Sequence, residues 1–172
     1  MPDAFDVFLP NGNLDRGRFT PAANVALDEA VATARATRWQ MVRTPHLFLG
    51  LIVAPDRTVH QWAAHACLDL LELGWKFRQM MRLPGTLPTA PRMHREFLAR
   101  RAITALRTAR TRCDEHDRTR VTPADLLWAI LAQDGCVIAR LSDGGLPAPV
   151  LRVLLAEADR VHSAPTGTSQ SR

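Results

Sequence analysis

The residues of this chain that could do chemistry stand mostly apart. His60, His65 and Cys67 are close in sequence, and Cys113 with His116 forms a C-x-x-H pair. Zinc takes such ligands, but a tetrahedral site needs a second paired element, and the first group has none. Cys113 also falls on the apolar side of its segment, so no metal site is expected. No nucleophile has a nearby base. No G-x-x-x-x-G-K-[ST] phosphate cradle is present, and the single lysine, Lys76, lies in an apolar stretch. Neither ATP hydrolysis nor any other catalysis is expected of these residues, and no cofactor is implied.

The strongest chemical signal is charge. Nine arginines face four acidic residues between Arg92 and Arg120, which accounts for the whole formal excess of +5. On a helical wheel Arg100 and Arg107, with Arg110 nearby, lie away from Ala102, Leu106 and Ala109. Such a run is either a solvated face or a patch for phosphates and acidic proteins. Nucleic acid would be favoured by interleaved aromatic residues. None occurs between Phe97 and Trp128, so a basic nucleic-acid-associated protein using segment 92–120 is the alternative rather than the first reading.

These residues sit on elements that repeat. RVTPADLLWAIL (120–131) reads as a helix start followed by an apolar stripe. Thr122 is placed to cap, Pro123 to take the first helical position, and Asp125 to sit in the positively polarised first turn. VRTPHLFLGLI (42–52) says the same earlier. A shift of 79 residues places Val42 on Val121, Leu47 on Leu126 and Leu51 on Ile130. The same shift carries Ala23, Ala26, Leu27 and Ala30 onto Ala102, Ala105, Leu106 and Ala109. One offset aligning two blocks is an internal repeat.

The spacing predicts eight helices and no strand. The first opens at Thr20-Pro21. Others run near 45–53, 57–66 and from 68. A proline-rich linker spans 83–92. Four more follow, near 93–113, after Thr122, 135–142 and 147–159. Residues 1–17 read as an irregular leader and 160–172 as a disordered tail. Trp62 and Trp75 read as core or helix-packing residues. With 47% apolar residues the chain can bury a core, and no apolar run reaches the length of a membrane span. No signal peptide is read at the N-terminus. Three widely spaced cysteines point to reduced thiols, hence to the cytoplasm.

The repeated phrases resemble the Clp N-terminal domain family. Its repeat opens Phe-Thr, then Ala-x-x-Ala-Leu-x-x-Ala, here Phe19-Thr20 with Ala23, Ala26, Leu27 and Ala30. It continues Val/Ile-x-Thr-Glu-His-Leu-Leu-Leu-Gly-Leu, here Val42 to Leu51. AAHACLDLLEL (63–73) and ARLSDGGL (139–146) resemble the two closing segments, and the likeness covers roughly 18–158. It implies an all-α bundle of two pseudo-twofold-related four-helix repeats, 18–82 and 93–159. It also implies a docking job, binding adaptors or unfolded substrates for an ATPase ring. With no phosphate cradle in the sequence, the expectation is a non-enzymatic module without the motor, an adaptor, regulator or decoy in Clp-dependent proteolysis. The implied partners are a peptide or unfolded protein, an adaptor, or a Clp ATPase, with the chain a monomer or weak dimer off the membrane. In the family, ligands bind near the starts of the first helices, which points to Phe19, Thr20, Phe97 and Leu98. Some members bind phosphoarginine through the glutamate of Thr-Glu-His. Pro45 and Ala124 stand there instead, so that mode is not expected. His46 keeps the family histidine and Asp125 replaces it in the second copy. The RVTPADLLWAI stretch also resembles a histone-fold strap, which sustains the nucleic-acid alternative.

Overall fold

The computed structural model describes residues 6–86, 89–143 and 145–163. It is all-α. Copy 1 comprises α1 (Pro21–Ala36), α2 (Thr44–Val53), α3 (Arg57–His65) and α4 (Leu70–Met81). Copy 2 comprises α5 (Arg100–Glu115), α6 (Pro123–Leu131), α7 (Cys136–Ser142) and α8 (Ala148–Ser163). No strand occurs among the described residues. A single 3-10 turn precedes each copy, at Arg16–Arg18 and Arg95–Phe97, again 79 residues apart.

Local chemistry explains where the helices start. The Thr20 hydroxyl accepts from the Ala23 amide at 3.2 Å, and Pro21 follows at the first helical position. Ala23, Ala26, Leu27, Ala30 and Ala34 are then buried in a row. The small stripe lets α2 lie close, and α1 with α2 is the most extensive helix pair. Gly50 marks the closest approach: a Cβ there would stand 2.0 Å from the Ala26 carbonyl oxygen and 2.9 Å from the Ala30 nitrogen. Copy 2 has Ala129 at the equivalent place.

Backbone pairing locks the copies together. Phe19 pairs with Val121, and Val42 pairs with Leu98, each in parallel. Thr20 donates to Val121 at 2.9 Å and Val121 to Arg18 at 2.8 Å. On the other side Ala99 donates to Val42 at 2.9 Å and Val42 to Phe97 at 2.7 Å. Adding 79 to the copy 1 member of one bridge gives the copy 2 member of the other, so the two bridges are pseudo-twofold equivalents. Even the strained turns match: Arg38 (φ 66°) and Asp117 (φ 53°) both take the left-handed conformation just after the first helix of their copy.

Four expectations need correction. The fifth helix begins at Arg100, not near Met93, because residues 95–99 are spent on the 3-10 turn and the bridge to Val42. The described part of the leader is structural: Val7, Phe8 and Leu14 are core residues, and Leu14 and Gly12 exchange backbone hydrogen bonds with Met93 and Arg95. Asp6 is clamped by Arg95 and Arg107. Burial works to raise its carboxyl, but the hydrogen bond and charge of Arg107, with Arg95, outweigh it and hold the pKa below the usual range. The helix predicted to stop near Asp159 carries through Ser163, so residues 160–163 are helical. The remainder of the predicted tail lies outside the described residues. Finally, Trp62 is fully buried, its indole donating to the Leu151 carbonyl at 3.1 Å, whereas Trp75 is 63% exposed on α4.

Gly50→Ala tests the close approach. In an ordinary helix interior this change stabilises by roughly 1 kcal/mol. Here the new methyl meets backbone, so the expected result is a loss of about 1–3 kcal/mol or more in urea unfolding. A stabilised variant would contradict the packing described.

Candidate docking cleft between the repeats

Position 46 and its equivalent 125 show how the copies diverged around a shared scaffold. Both side chains are 0% exposed, and both accept from a helix-starting amide. The Arg43 N–H donates to His46 Nδ1 at 2.9 Å, which places the ring proton on Nε2, 3.2 Å from the Thr37 hydroxyl. That hydroxyl in turn donates to the Thr33 carbonyl at 2.7 Å. Burial, then the Arg43 charge, depresses the His46 pKa to about 4. In copy 2 the acceptor is the Asp125 carboxylate, taking the Thr122 amide at 2.9 Å. A buried carboxylate must be paired, and the chain supplies Arg112 at 2.5 Å and Arg118 at 2.6 Å. Asp159 on α8 completes a four-membered network, 3.1 Å from each arginine. The copy 1 equivalents of Arg112 and Arg118 are Thr33 and Trp39. The last helices, α4 and α8, start 78 residues apart, so Asp159 falls on Met81, equally buried. The pseudo-twofold thus carries a neutral, partly apolar corner onto a fully ionic one.

The apolar corner is open. A cavity of about 610 Å³ runs from Trp39, Pro45 and Met80 of copy 1 to Arg100, Arg101 and Val137 of copy 2. Beside the ionic network only about 210 Å³ remains. Three arginines reach the open cleft. The Arg43 guanidinium lies over the Trp39 ring, 4.7 Å from its centroid. Arg101 donates to the Asp134 backbone carbonyl, and Gly135 makes room for it, since a Cβ there would stand 2.8 Å from its guanidinium nitrogen. Arg100 is exposed at the first turn of α5. That turn is unusual. Its N-cap is Ala99, which has no side chain to accept, whereas the equivalent Thr20 caps α1. Its first turn holds two arginines and no acid, against the preference of a positively polarised helix end. Two buried oxygens on the lining, Thr44 Oγ1 and Gln133 Oε1, find no hydrogen-bond partner among the described residues.

The model of the Clp repeat (R) N-terminal domain matches residues 18–144, spanning both copies. The chain belongs to that family. No curated protein matches the sequence significantly. Solved Clp N-domains share the fold. The N-terminal domain of the chaperone ClpD from Arabidopsis thaliana superposes with a TM-score of 0.65 at 16% identity, over 87% of this chain and 99% of that one. The Hsp104 N-terminal domain from Candida albicans gives 0.66 at 15%, over 82% and 91%. The ClpV N-domain from Vibrio cholerae gives 0.65 at 15%, over 83% and 85%. At such identities the likeness establishes architecture alone.

In this Clp N-domain the four residues picked from sequence for partner binding hold the junction together. Phe19 and Leu98 are bridge residues, 1% and 2% exposed, so neither side chain is offered to a guest. Thr20 is spent as a cap. Phe97 is half-buried under the Arg92 guanidinium, 5.2 Å from its centroid. The predicted arginine patch divides as well. Arg107 is engaged by Asp6, and Arg110 pairs with Asp114 at 2.5 Å, leaving Arg100 to the cleft. Trp39, Arg43, Met80 and Arg101 line the cleft without being singled out by the sequence patterns. The uncapped Ala99, read against Thr20, was the available signal. Cys113 and His116 do not face a common ligand: the buried thiol donates to the Arg118 carbonyl at 3.1 Å, and His116 Nδ1 meets the Arg112 carbonyl at 2.9 Å. Burial, then the Asp125 charge, pushes the Cys113 pKa up.

Two measurements check the pair 46/125. His46 is neutral when folded, so its contribution is complete above about pH 6.5 and is lost as pH falls toward 4, where the folded ring finally takes a proton. Wild type should lose up to about 3 kcal/mol more than His46→Asn between pH 7 and about pH 4.5, read from urea titrations. Asp125→Ala should cost about 3–5 kcal/mol at neutral pH, because Arg112 is left buried without that partner.

Proposed function

We propose that this Clp N-domain is a non-catalytic docking module that takes a segment of a substrate or adaptor protein into the cleft between its repeats. In this reading it acts in the cytoplasm as an adaptor, regulator or decoy for a Clp-type unfoldase. The Clp N-domain fold itself suggests protein docking. The observation that carries the reading further is the open cleft. It is lined by Trp39, Pro45, Met80 and Val137 beside three arginines, while the equivalent place in copy 2 is filled by ion pairs. Apolar side chains of a guest gain about 25 cal/mol per Å² buried there, before ordering costs. The arginines orient it. The dispersal of Arg107 and Arg110 into ion pairs favours this reading over nucleic-acid binding along α5.

Phe19 is a poor probe of binding, since Phe19→Ala empties the junction and should cost about 3–5 kcal/mol of stability. Met80 is 41% exposed on the cleft wall and is the better choice. Met80→Ser should bind a fluorescent, reduced and alkylated model protein several-fold more weakly than wild type by anisotropy, on the order expected for losing one buried apolar contact. Its urea midpoint should be unchanged. Equal binding by the variant would remove the cleft as the docking site.

A further inference from the structure

The chemistry of the guest can be read from the cleft, provided that the docking reading holds. We propose that the cleft selects an acidic segment, with a carboxylate against Arg43 and Arg100 and an adjoining apolar side chain against Trp39 and Met80. We further propose that each chain holds one such segment.

Three independent observations lead there. First, Arg43, Arg100 and Arg101 converge on one cavity whose only acidic lining residue is Asp134. Arg43 makes a ring contact with Trp39, and Arg101 is satisfied by a backbone carbonyl rather than a carboxylate. The cleft therefore carries uncompensated positive charge. Second, the α5 start breaks two local rules in the same place. Ala99 leaves the first-turn amides without a side-chain acceptor, and Arg100 and Arg101 add positive charge to the positive end of a 16-residue helix. An external carboxylate relieves both at once. The buried Thr44 hydroxyl adds a donor with no partner among the described residues. Third, the chain fills the corresponding corner of copy 2 itself: the Asp159 carboxylate sits 3.1 Å from Arg118 and 3.1 Å from Arg112. That leaves one cleft per chain for a guest. Protein is favoured over nucleic acid because the lining is largely apolar and the cavity is small against a polyanion.

The test uses the whole chain and four short fluorescein-labelled peptides: glutamates flanking one phenylalanine, its glutamine counterpart, its lysine counterpart, and the glutamate peptide with alanine for phenylalanine. Calorimetry and anisotropy should show the glutamate peptide binding one per chain, roughly tenfold or more tighter than the glutamine peptide, and weakening with salt. The lysine peptide should not bind, and the alanine version should bind more weakly than its parent. The double variant Arg43→Gln/Arg100→Gln should reduce the glutamate peptide to the level of the glutamine peptide with an unchanged urea midpoint. Met80→Asp, which puts a carboxylate on the cleft wall, should block the glutamate peptide more than Met80→Asn does. Equal binding of glutamate and glutamine peptides, lost in Met80→Ser, would overturn acid selection and leave docking intact. Two peptides per chain would overturn the single-site half. Binding of none would overturn both docking and selection. A single-stranded oligonucleotide that displaces the glutamate peptide, with the same dependence on Arg43 and Arg100, would overturn the choice of protein as the partner.

Discussion

Backbone hydrogen bonds exchanged across the pseudo-twofold axis hold this molecule in shape. Extended residues just before α1 and α5 donate and accept against the residues just before α6 and α2. The four bridge residues are almost wholly buried, so their backbone groups have no recourse to water. Each repeat can satisfy its own helix amides, but the strand-like residues at its entry need the other repeat. That demand fixes where the copies meet. It also fixes where the open cleft lies, because Ala99 and Arg43 flank the Val42–Leu98 bridge in the chain.

Symmetry of backbone did not require symmetry of side chains. Position 46 and position 125 make the same hydrogen bond to a helix-starting amide with different chemistry. A neutral imidazole asks for one hydroxyl. A carboxylate asks for cations, and those cations ask for a further carboxylate. The four-membered network in copy 2 follows from that single replacement, and so does its small residual cavity. In copy 1 the same positions are free to carry Trp39 and Met81. Divergence at one buried position thus separates a sealed corner from an open one.

Much of this was legible in the residues. The offset of 79 aligned the alanine stripes and both Val-led helix starts, and the structure honours it down to paired 3-10 turns and left-handed residues. Patterns that depend on a neighbour were not legible. Nothing local in residues 6–14 distinguishes an irregular leader from a segment packed on Met93 and Arg95. A helical wheel cannot tell whether the face bearing Trp75 has a partner. Phe19 stands at a helix start, where the family resemblance places guests, and nothing local shows that the same position is a bridge. Arg112 offered a usable sign, since it falls on the same helical face as Leu106, Ala109 and Cys113. A charged residue there requires a buried acid, and Asp125 and Asp159 were the ones available.

The reciprocal bridges have one more implication. Residue-for-residue exchange about a twofold axis is the grammar of an isologous dimer, in which each surface patch meets its own image. Here both images lie on one polypeptide, so the concentration of one half around the other is set by the tether rather than by abundance. Freed from the need to recognise itself, each half could specialise. Two identical subunits would have been bound to carry two identical corners, whereas a covalently joined pair can keep one for its own cohesion and shape the other differently.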